Sequence, residues 1–245
     1  MRILLVGDLT RPIDEGLKKI AWSLHSRLAQ RHEVRCLAPR ELVRFRRQKE
    51  VQAFRPDIIH YVPGPSIRSF LLLAYTRKRI GGEVKTVLSA TRPDVAKWQK
   101  RLLRRFKPDL VFSQSAAFEG SLKDLGIPAA FLPNGVDRKV FHPVSAEQKS
   151  KLRSELGWPA DKRIALHVGH LRKSRQLDSF VRLQQQGRFQ CVIVGSTSTK
   201  KEKPVIERLR QAGCVVMDRY IANIAVVYQA DRKSTRLNSS HGKLS

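Results

Sequence analysis

Short apolar runs alternate along this chain with longer segments in which apolar residues recur at helical spacing. The runs predict strands over 2–6, 33–37, 57–62, 84–88, 109–113 and 129–132. The segments between them predict helices over 16–30, 40–53, 66–79, 93–105 and 115–124. Strands that alternate with helices of this length are typical of βαβ units and a parallel sheet. The strands are almost continuously apolar, which indicates burial on both faces of that sheet.

The alternation pauses over 133–145, where Pro, Asn, Gly and Asp predict a turn-rich connection. The pattern then restarts with a helix over 146–156, followed by strand 163–168, helix 176–185, strand 190–194, helix 201–212, strand 214–217 and helix 221–229. We therefore predict an α/β protein with two Rossmann-like domains, 1–140 and 141–230. The second is too short to be a complete doubly wound domain.

The last residues have a different character. Residues 231–241 read DRKSTRLNSSH, which is the in-frame translation of a common sequencing adaptor. We therefore expect 231–245 to be an artefactual tail and the native gene to continue past Ala230. A genuine basic tail is the alternative. The segment carries four basic residues and one acidic residue, so the rest of the chain stays strongly basic without it.

The formal net charge of +27 favours polyanionic partners such as nucleic acid, anionic lipid or phosphorylated substrates. Basic residues cluster at 40–49 and at 97–107. The second cluster places Trp98, Leu102, Leu103 and Phe106 among cations at helical spacing. This pattern is typical of an amphipathic helix on an anionic membrane, and equally of a domain helix with a solvated basic face.

Cysteine usage and hydropathy bear on the compartment. The three cysteines are far apart and lack metal-ligand spacing, which favours buried, reduced thiols and predicts no metal site. No apolar run is long enough for a signal peptide or a membrane span. We expect a cytoplasmic protein, either free or peripheral on the inner face of the membrane.

The first candidate ligand loop, 7–16, follows strand 2–6 and enters a helix. A glycine at such a turn lets a phosphate or a sugar approach backbone N–H groups and the positive end of the helix. Gly16 fits this role or that of a helix N-cap. The loop does not match G-x-G-x-x-G, so a dinucleotide site is not favoured.

Two further loops follow predicted strands of the second half. Residues 168–175 place His170, Arg172, Lys173 and Arg175 after Gly169, where cations could bind a diphosphate. A solvated basic loop is the alternative. Gly195 and Ser196 follow strand 190–194 and suit contact with a base or a ribose, although an ordinary turn has the same composition.

The segment PNGVD at 133–137, followed by Phe141 and Pro143, resembles the interdomain signature of family 4 glycosyltransferases. Other segments resemble the family in the same order and cover nearly all of 1–230: VGD with its loop at 6–16, DIIH at 57–60, VGHL through Arg175, CVIVG at 191–195, and 217–230. Their order and spacing are more specific than any one of them.

The resemblance implies the GT-B architecture, two facing Rossmann domains with the active site between them. It also implies transfer of a sugar, with retention, from a nucleotide diphosphate sugar to a glycan or lipid-linked acceptor, with no separate cofactor. Arg175, supported by Lys173, would stabilise the leaving diphosphate. Gly16 and Gly169 would allow close approach, and His170, Gly195 and Ser196 would contact the donor.

The sequence departs from the family at three places. His170 stands where the family has Arg, and Arg175 where it has Lys, with Gln176 in place of Gly. The acceptor-side His has no match in 88–92. The acidic Glu-x7-Glu stretch would lie beyond Ala230, so we expect this chain to be an inactive piece of the enzyme.

Other classes remain open. A basic nucleic-acid-binding protein fits the charge, but aromatic residues make up only 7% and no helix-turn-helix, RRM or zinc-finger spacing is present. A non-catalytic GT-B-like subunit is compatible with His170. A sugar-nucleotide hydrolase or epimerase shares the architecture, but PNGVD favours transfer.

Overall fold

A computed structural model of the chain describes residues 1–11, 13, 15–92, 100–171, 175–195, 203–219 and 221–231. The chain forms two compact units, the first ending at Gly135 and the second beginning at Val136. Each unit has its own parallel sheet, so the predicted α/β fold is confirmed. The predictions for Arg172, Lys173, Ser196, 93–99 and 232–245 lie outside the described residues.

The first unit contains a six-stranded parallel sheet with the order β2-β1-β3-β4-β5-β6. Its strands are β1 (Arg2–Val6), β2 (Glu33–Leu37), β3 (Ile58–Gly64), β4 (Lys85–Ala90), β5 (Leu110–Ser113) and β6 (Ala129–Phe131). Its helices are α1 (Gly16–Leu28), α2 (Phe45–Phe54), α3 (Ile67–Ile80), α4 (Lys100–Arg105) and α5 (Ala116–Asp124).

Alternate side chains of β1 enter different cores, which explains why the strand is apolar throughout. Leu4 and Val6 join the larger core with residues of α2, α3 and α5. Leu5 packs on the opposite face with Ala21 of α1 and Val62. The chain adds β2 on one side of β1 and β3 on the other, so the order of the strands in the sheet reverses between β1 and β3. Open α/β sheets form their ligand crevice at the carboxyl ends of two such strands.

The second unit contains a three-stranded parallel sheet with the order β7-β8-β9. Its elements are α6 (Ala146–Glu155), β7 (Arg163–Val168), α7 (Asp178–Gln185), β8 (Phe189–Val194), α8 (Lys203–Gln211), β9 (Val215–Met217) and α9 (Ala225–Ala230). One core lies between the sheet and α7 and α8. A second core, on the other face, includes Trp158, Val192 and Val227.

A buried arginine joins α6 to the end of α9. Arg153 is only 6% exposed. Its Nε donates to the carbonyl oxygen of Ala230 at 2.9 Å, and its Nη1 donates to the carbonyl of Ala160 at 3.0 Å. Weaker bonds reach the carbonyls of Pro159 and Lys162. The guanidinium thus satisfies main-chain acceptors that the loop after α6 would otherwise bury without partners.

Two predicted helices begin later than expected. The helix predicted over 40–53 begins at Phe45, because Leu42 is buried in a turn and Arg44 is extended. The Leu42 carbonyl accepts a hydrogen bond from Gln48 Nε2 at 3.0 Å. The helix predicted over 221–229 begins at Ala225. Ile221 and Ile224 pack against the core without being helical, which produced the misleading apolar spacing. Other ends differ by a residue or two.

The described part of the helix predicted over 93–105 is α4. Leu103 is fully buried in the core of the first unit, and Phe106 packs against that core. Leu103 is therefore not available to a membrane and Phe106 is partly covered, which fits a domain helix with a solvated basic face. No helix in the described part of the chain is long and apolar enough to cross a membrane.

Candidate functional site

Gly7 sets the distance between β1 and α1 at the crevice of the first unit. A Cβ at this position would lie 2.7 Å from the Cβ of Ala21, so no larger residue fits without moving the helix. The Gly7 N–H donates to the carbonyl of Leu37 at 2.9 Å and extends the pairing of β1 with β2. Gly7 thereby allows the helix to lie close to the strand, a requirement that the sequence pattern did not reveal.

Asp8 organises the loop that follows. Its carboxylate accepts hydrogen bonds from the hydroxyl and the backbone N–H of Thr10, at 2.7 and 2.8 Å. Lys18 Nζ lies 3.7 Å from the other carboxylate oxygen. The Thr10 hydroxyl and the Thr10 N–H, with a lesser effect of Lys18, hold the pKa of Asp8 below its ordinary value against the opposing effect of burial. A charged carboxylate therefore stands at the crevice between β1 and β3.

Gly16 is the first residue of α1 and Glu15 is its N-cap, so the N-cap interpretation of Gly16 is wrong. A Cβ at Gly16 would meet nothing within 4 Å. Among the described residues, the N-terminal turn of α1 is therefore not crowded at Gly16, and the N–H groups that the helix itself does not bond favour negative charge there. The role of Gly16 in ligand approach stays a prediction.

The DIIH segment has a structural function at both of its ends. Asp57 accepts a hydrogen bond from the backbone N–H of Arg2 at 2.7 Å, at the amino end of the sheet. His60 is buried, and its Nε2 is hydrogen bonded to Ser89 Oγ at 2.8 Å. Burial lowers the pKa of His60 to about 4, so its ring is neutral near pH 7. The His60–Ser89 bond joins β3 to β4 inside the sheet.

In the second unit, Gly169 and Gly195 interlock at the carboxyl ends of β7 and β8. The Gly169 N–H donates to the carbonyl oxygen of Val194 at 2.9 Å, and the Gly195 N–H donates to that of Met217 at 3.0 Å. A Cβ at position 195 would overlap the carbonyl oxygen of Gly169. Gly169 itself has a φ of 158°. The glycine at 195 is thus required by the packing of the preceding loop.

Two histidines lie beside this pair. His167 Nε2 and His170 Nδ1 are buried, and neither has a hydrogen-bond partner within the described residues. Burial lowers the pKa of His167, and the charge of Arg175 lowers it further, against a hydrogen bond to the backbone of His170. The His167 ring meets Phe180 edge-on, with 5.8 Å between the ring centroids. His167 was not predicted, because it reads as part of an apolar strand.

The structure brings Gly169, His170 and Gly195 together, since they follow adjacent parallel strands. Arg175 is exposed and lies near enough to His167 to affect its pKa. This edge therefore combines two loops in close contact with an exposed guanidinium, which can bind phosphate oxygens in a bidentate manner. Within the described residues, no group of three or more His, Cys, Asp or Glu side chains could hold a metal ion.

Comparison with known sequences gives limited matches. No family profile matches the chain. A curated protein, alpha-galactosylglucosyldiacylglycerol synthase from Streptococcus pneumoniae, is 31% identical over 64 residues. This segment is 25% of the chain and 17% of that protein, so the chain matches less than a fifth of its curated relative.

Comparison with solved structures covers far more of the chain. Anabaena HepE, solved in complex with UDP and glucose, has a TM-score of 0.62 and 17% identity over 94% of this chain and 72% of its own. A trehalose-phosphate synthase (UDP-forming) from Burkholderia vietnamiensis has a TM-score of 0.55 and 13% identity, over 94% and 75%. A Rickettsia africae glycosyltransferase has a TM-score of 0.58 and 14% identity, over 94% and 71%.

These structures define the class of the fold. The chain has the α/β fold with parallel sheets that is found in GT-B glycosyltransferases. It is therefore glycosyltransferase-like in architecture.

Proposed function

We propose that the protein is a retaining family 4 glycosyltransferase, which moves a sugar from a nucleotide diphosphate sugar to a glycan or lipid-linked acceptor. The observation that carries this proposal is the edge of the second sheet, where the interlocked Gly169 and Gly195 adjoin His170 and the exposed Arg175. The fold shared with HepE, which is described in complex with UDP and glucose, supports it.

The donor side would act mainly through charge. When the sugar leaves, negative charge develops on the diphosphate, and preorganised cations stabilise that charge. The N–H groups of Gly169 and Gly195 already donate to Val194 and Met217. The stabilisation therefore falls to side chains, with Arg175 as the principal group and Lys173 in support. His170 and Ser196 would contact the rest of the donor.

The acceptor side would be the crevice of the first unit. The open N-terminal turn of α1 at Gly16 supplies N–H donors, and the Asp8 carboxylate can accept a hydrogen bond from a sugar hydroxyl. We further propose that the protein is cytoplasmic and, with a lipid-linked acceptor, peripheral on the inner face of the membrane.

Nucleotide binding by the whole chain tests the donor side. We expect UDP, GDP or ADP to bind by calorimetry, and Arg175→Ala to weaken the preferred nucleotide about ten-fold or more, since a charge-assisted hydrogen bond is lost. Arg182→Ala, at an exposed position of α7, is the matched control and should bind as the parent does. Equal affinity of all three proteins would reject the assignment of Arg175.

The same preparation separates the nucleic-acid alternative. Tight DNA or RNA binding that falls steeply with salt, without any nucleotide-sugar binding, would favour that class over a transferase. We expect instead that nucleotide binding survives at salt concentrations that release DNA.

The full-length gene tests the remaining parts. We propose that 231–245 are not native, because 231–241 translate an adaptor. A gene that continues past Ala230 into a Glu-x7-Glu stretch would support this, and a genome that encodes 231–245 would contradict it. With the complete enzyme, the anomeric configuration of the product by NMR decides between retention and inversion.

A further inference from the structure

Helices α2 and α3 of the first unit lie side by side and run parallel. Gln48 Nε2 donates to the Tyr75 hydroxyl at 2.9 Å, and one turn further on Gln52 Nε2 donates to the carbonyl of Arg79 at 2.6 Å. Extending this register back by one turn places Arg44 level with Leu71, so Phe45 lies next to that level. The first turns of the two helices therefore share one surface.

That surface exposes large apolar side chains. Phe45 is 65% exposed, Tyr75 43% and Leu71 40%, and Val43 in the loop before α2 is 57% exposed. Leu71 and Tyr75 are one helical turn apart, so they form a stripe on α3. Scattered apolar residues are normal on a protein surface, but a group of this kind marks a site of interaction.

Cations surround the apolar group. Arg44, Lys49, Arg68 and Lys78 are exposed, and the Lys49 ammonium lies 4.8 Å from the centre of the Phe45 ring. The two carboxylates of the same segment, Glu41 and Glu50, are paired with Arg47 at 3.4 and 2.7 Å. The α2–α3 face, as we name this surface, consists of Val43, Arg44, Phe45, Lys49, Arg68, Leu71, Tyr75 and Lys78.

We infer that the α2–α3 face binds the surface of an anionic lipid bilayer. Arginine and lysine pair with lipid phosphates, while aromatic and aliphatic side chains enter the boundary between headgroups and acyl chains. The aliphatic Val43 and Leu71 favour a bilayer over nucleic acid, because they cannot stack on bases as aromatic side chains do.

The position of the α2–α3 face suits delivery of a lipid-linked acceptor, an inference that rests on the proposed function. α2 and α3 follow the carboxyl ends of β2 and β3, and α3 begins at the Ser66 capping box. Their first turns therefore lie at the same edge of the sheet as the crevice beside Gly7 and Asp8. A bilayer held at this face would present a lipid-linked acceptor to that crevice.

Co-sedimentation of the full chain with vesicles tests the inference. We expect binding to phosphatidylcholine vesicles that contain phosphatidylglycerol, weak binding to phosphatidylcholine alone, and release by salt. The double variant Phe45→Ser/Leu71→Ser should reduce partitioning about ten-fold or more. Its control is Val136→Ser/Val140→Ser, at two exposed valines of the second unit, which should partition as the parent does.

A second pair of variants tests the charge separately. Arg44→Glu/Lys49→Glu should abolish the preference for anionic vesicles. Lys151→Glu/Lys162→Glu makes the same change of charge at exposed positions of the second unit and should retain most of it. Circular dichroism identifies any variant that fails to fold, and the other pair then decides.

Three outcomes would overturn the inference. These are equal binding to neutral and anionic vesicles, equal loss in test and control variants, or duplex DNA binding that these variants abolish without any vesicle binding. Nucleotide affinity, measured on the same proteins, should not change. Vesicle binding without nucleotide binding would reject the proposed function and leave the membrane face standing.

Discussion

At the scale of single residues, the glycines of the predicted ligand loops are needed for different reasons, which only the structure distinguishes. Gly7 and Gly195 are required by the close approach of other parts of the protein, whereas a Cβ at Gly16 would meet none of the described residues within 4 Å. The sequence shows a glycine directly after the strands at 2–6, 163–168 and 190–194, and each predicts the start of a ligand loop. It could not indicate which glycine accommodates a ligand and which accommodates the protein itself, because that depends on tertiary contacts.

Two alanine substitutions, one at Gly195 and one at a glycine without close neighbours, test whether packing requires the glycine at 195. Gly195→Ala should destabilise the protein by about 1–3 kcal/mol, because the methyl group must displace the Gly169 carbonyl. Gly120→Ala, within α5 and with nothing within 4 Å of its Cβ, should stabilise it by about 0.5–1 kcal/mol. Urea unfolding measures both. An unchanged free energy of unfolding for Gly195→Ala would contradict the interlock.

His60 should make stability depend on pH. Its native pKa of about 4 lies below the ordinary value of 6.5, so between these values the unfolded chain binds a proton that the native state excludes. His60 therefore lowers the free energy of unfolding as pH falls from 6.5 to 4, by up to about 1.4 kcal/mol per pH unit. Above pH 6.5 the ring is neutral in both states, so the protein loses no stability through His60 there.

His60→Asn is the test, since asparagine can still bond Ser89 but does not titrate. Urea unfolding at several pH values should show the parent losing stability relative to the variant below pH 6.5. Parallel curves for the two proteins would show that His60 has an ordinary pKa in the folded state.

At the scale of helices and strands, the bounds that depend on local sequence were predicted well, and those that depend on tertiary contacts were not. The bounds predicted for β1, β2 and β7 are confirmed. In β1 an uninterrupted apolar run marks the buried strand directly, whereas β2 contains Glu33 and Arg35 and has no fully buried residue. α2 and α9 were predicted to begin too early, since Leu42, Ile221 and Ile224 reach the core from positions before the first residue of each helix. Arg153 read as one more surface cation, because sequence alone does not show which arginine is buried.

Arg153 should therefore be critical for the second unit. Arg153→Met keeps much of the side-chain volume but leaves the carbonyls of Ala230 and Ala160 without their donor, which should cost about 3 kcal/mol. Lys151→Met, at an exposed position of α6, should change stability by less than about 0.5 kcal/mol. Equal urea midpoints for the two variants would show that water replaces the guanidinium.

At the scale of the whole molecule, the two-sheet α/β architecture was predictable and the candidate site only in part. Gly169, His170 and Gly195 lie together, because the ends of adjacent parallel strands meet at one edge of a sheet, and their contact with a donor stays a prediction. His167 was missed because the burial of a polar side chain within a strand depends on packing. Lys173 and Ser196 remain predictions.

The two units have separate cores, so a defect in one should stay there. Leu73→Ala removes a buried side chain from the first core and should accelerate amide hydrogen exchange in β1 to β5. Leu209→Ala, at a fully buried position of the second core, should do so in β7 to β9. Exchange measured by mass spectrometry would contradict this if either variant released both sheets, since the chain would then open as one cooperative body.

The close packing of Gly169 against Gly195 limits which substitutions the protein can accept at these positions, in engineering and in evolution. Libraries that randomise the loop after β7 should yield folded members only while position 195 keeps its glycine. A larger residue at 195 should become tolerable only after the chain at 169 has been rerouted. Substitutions at positions 169 and 195 should therefore occur together in related sequences.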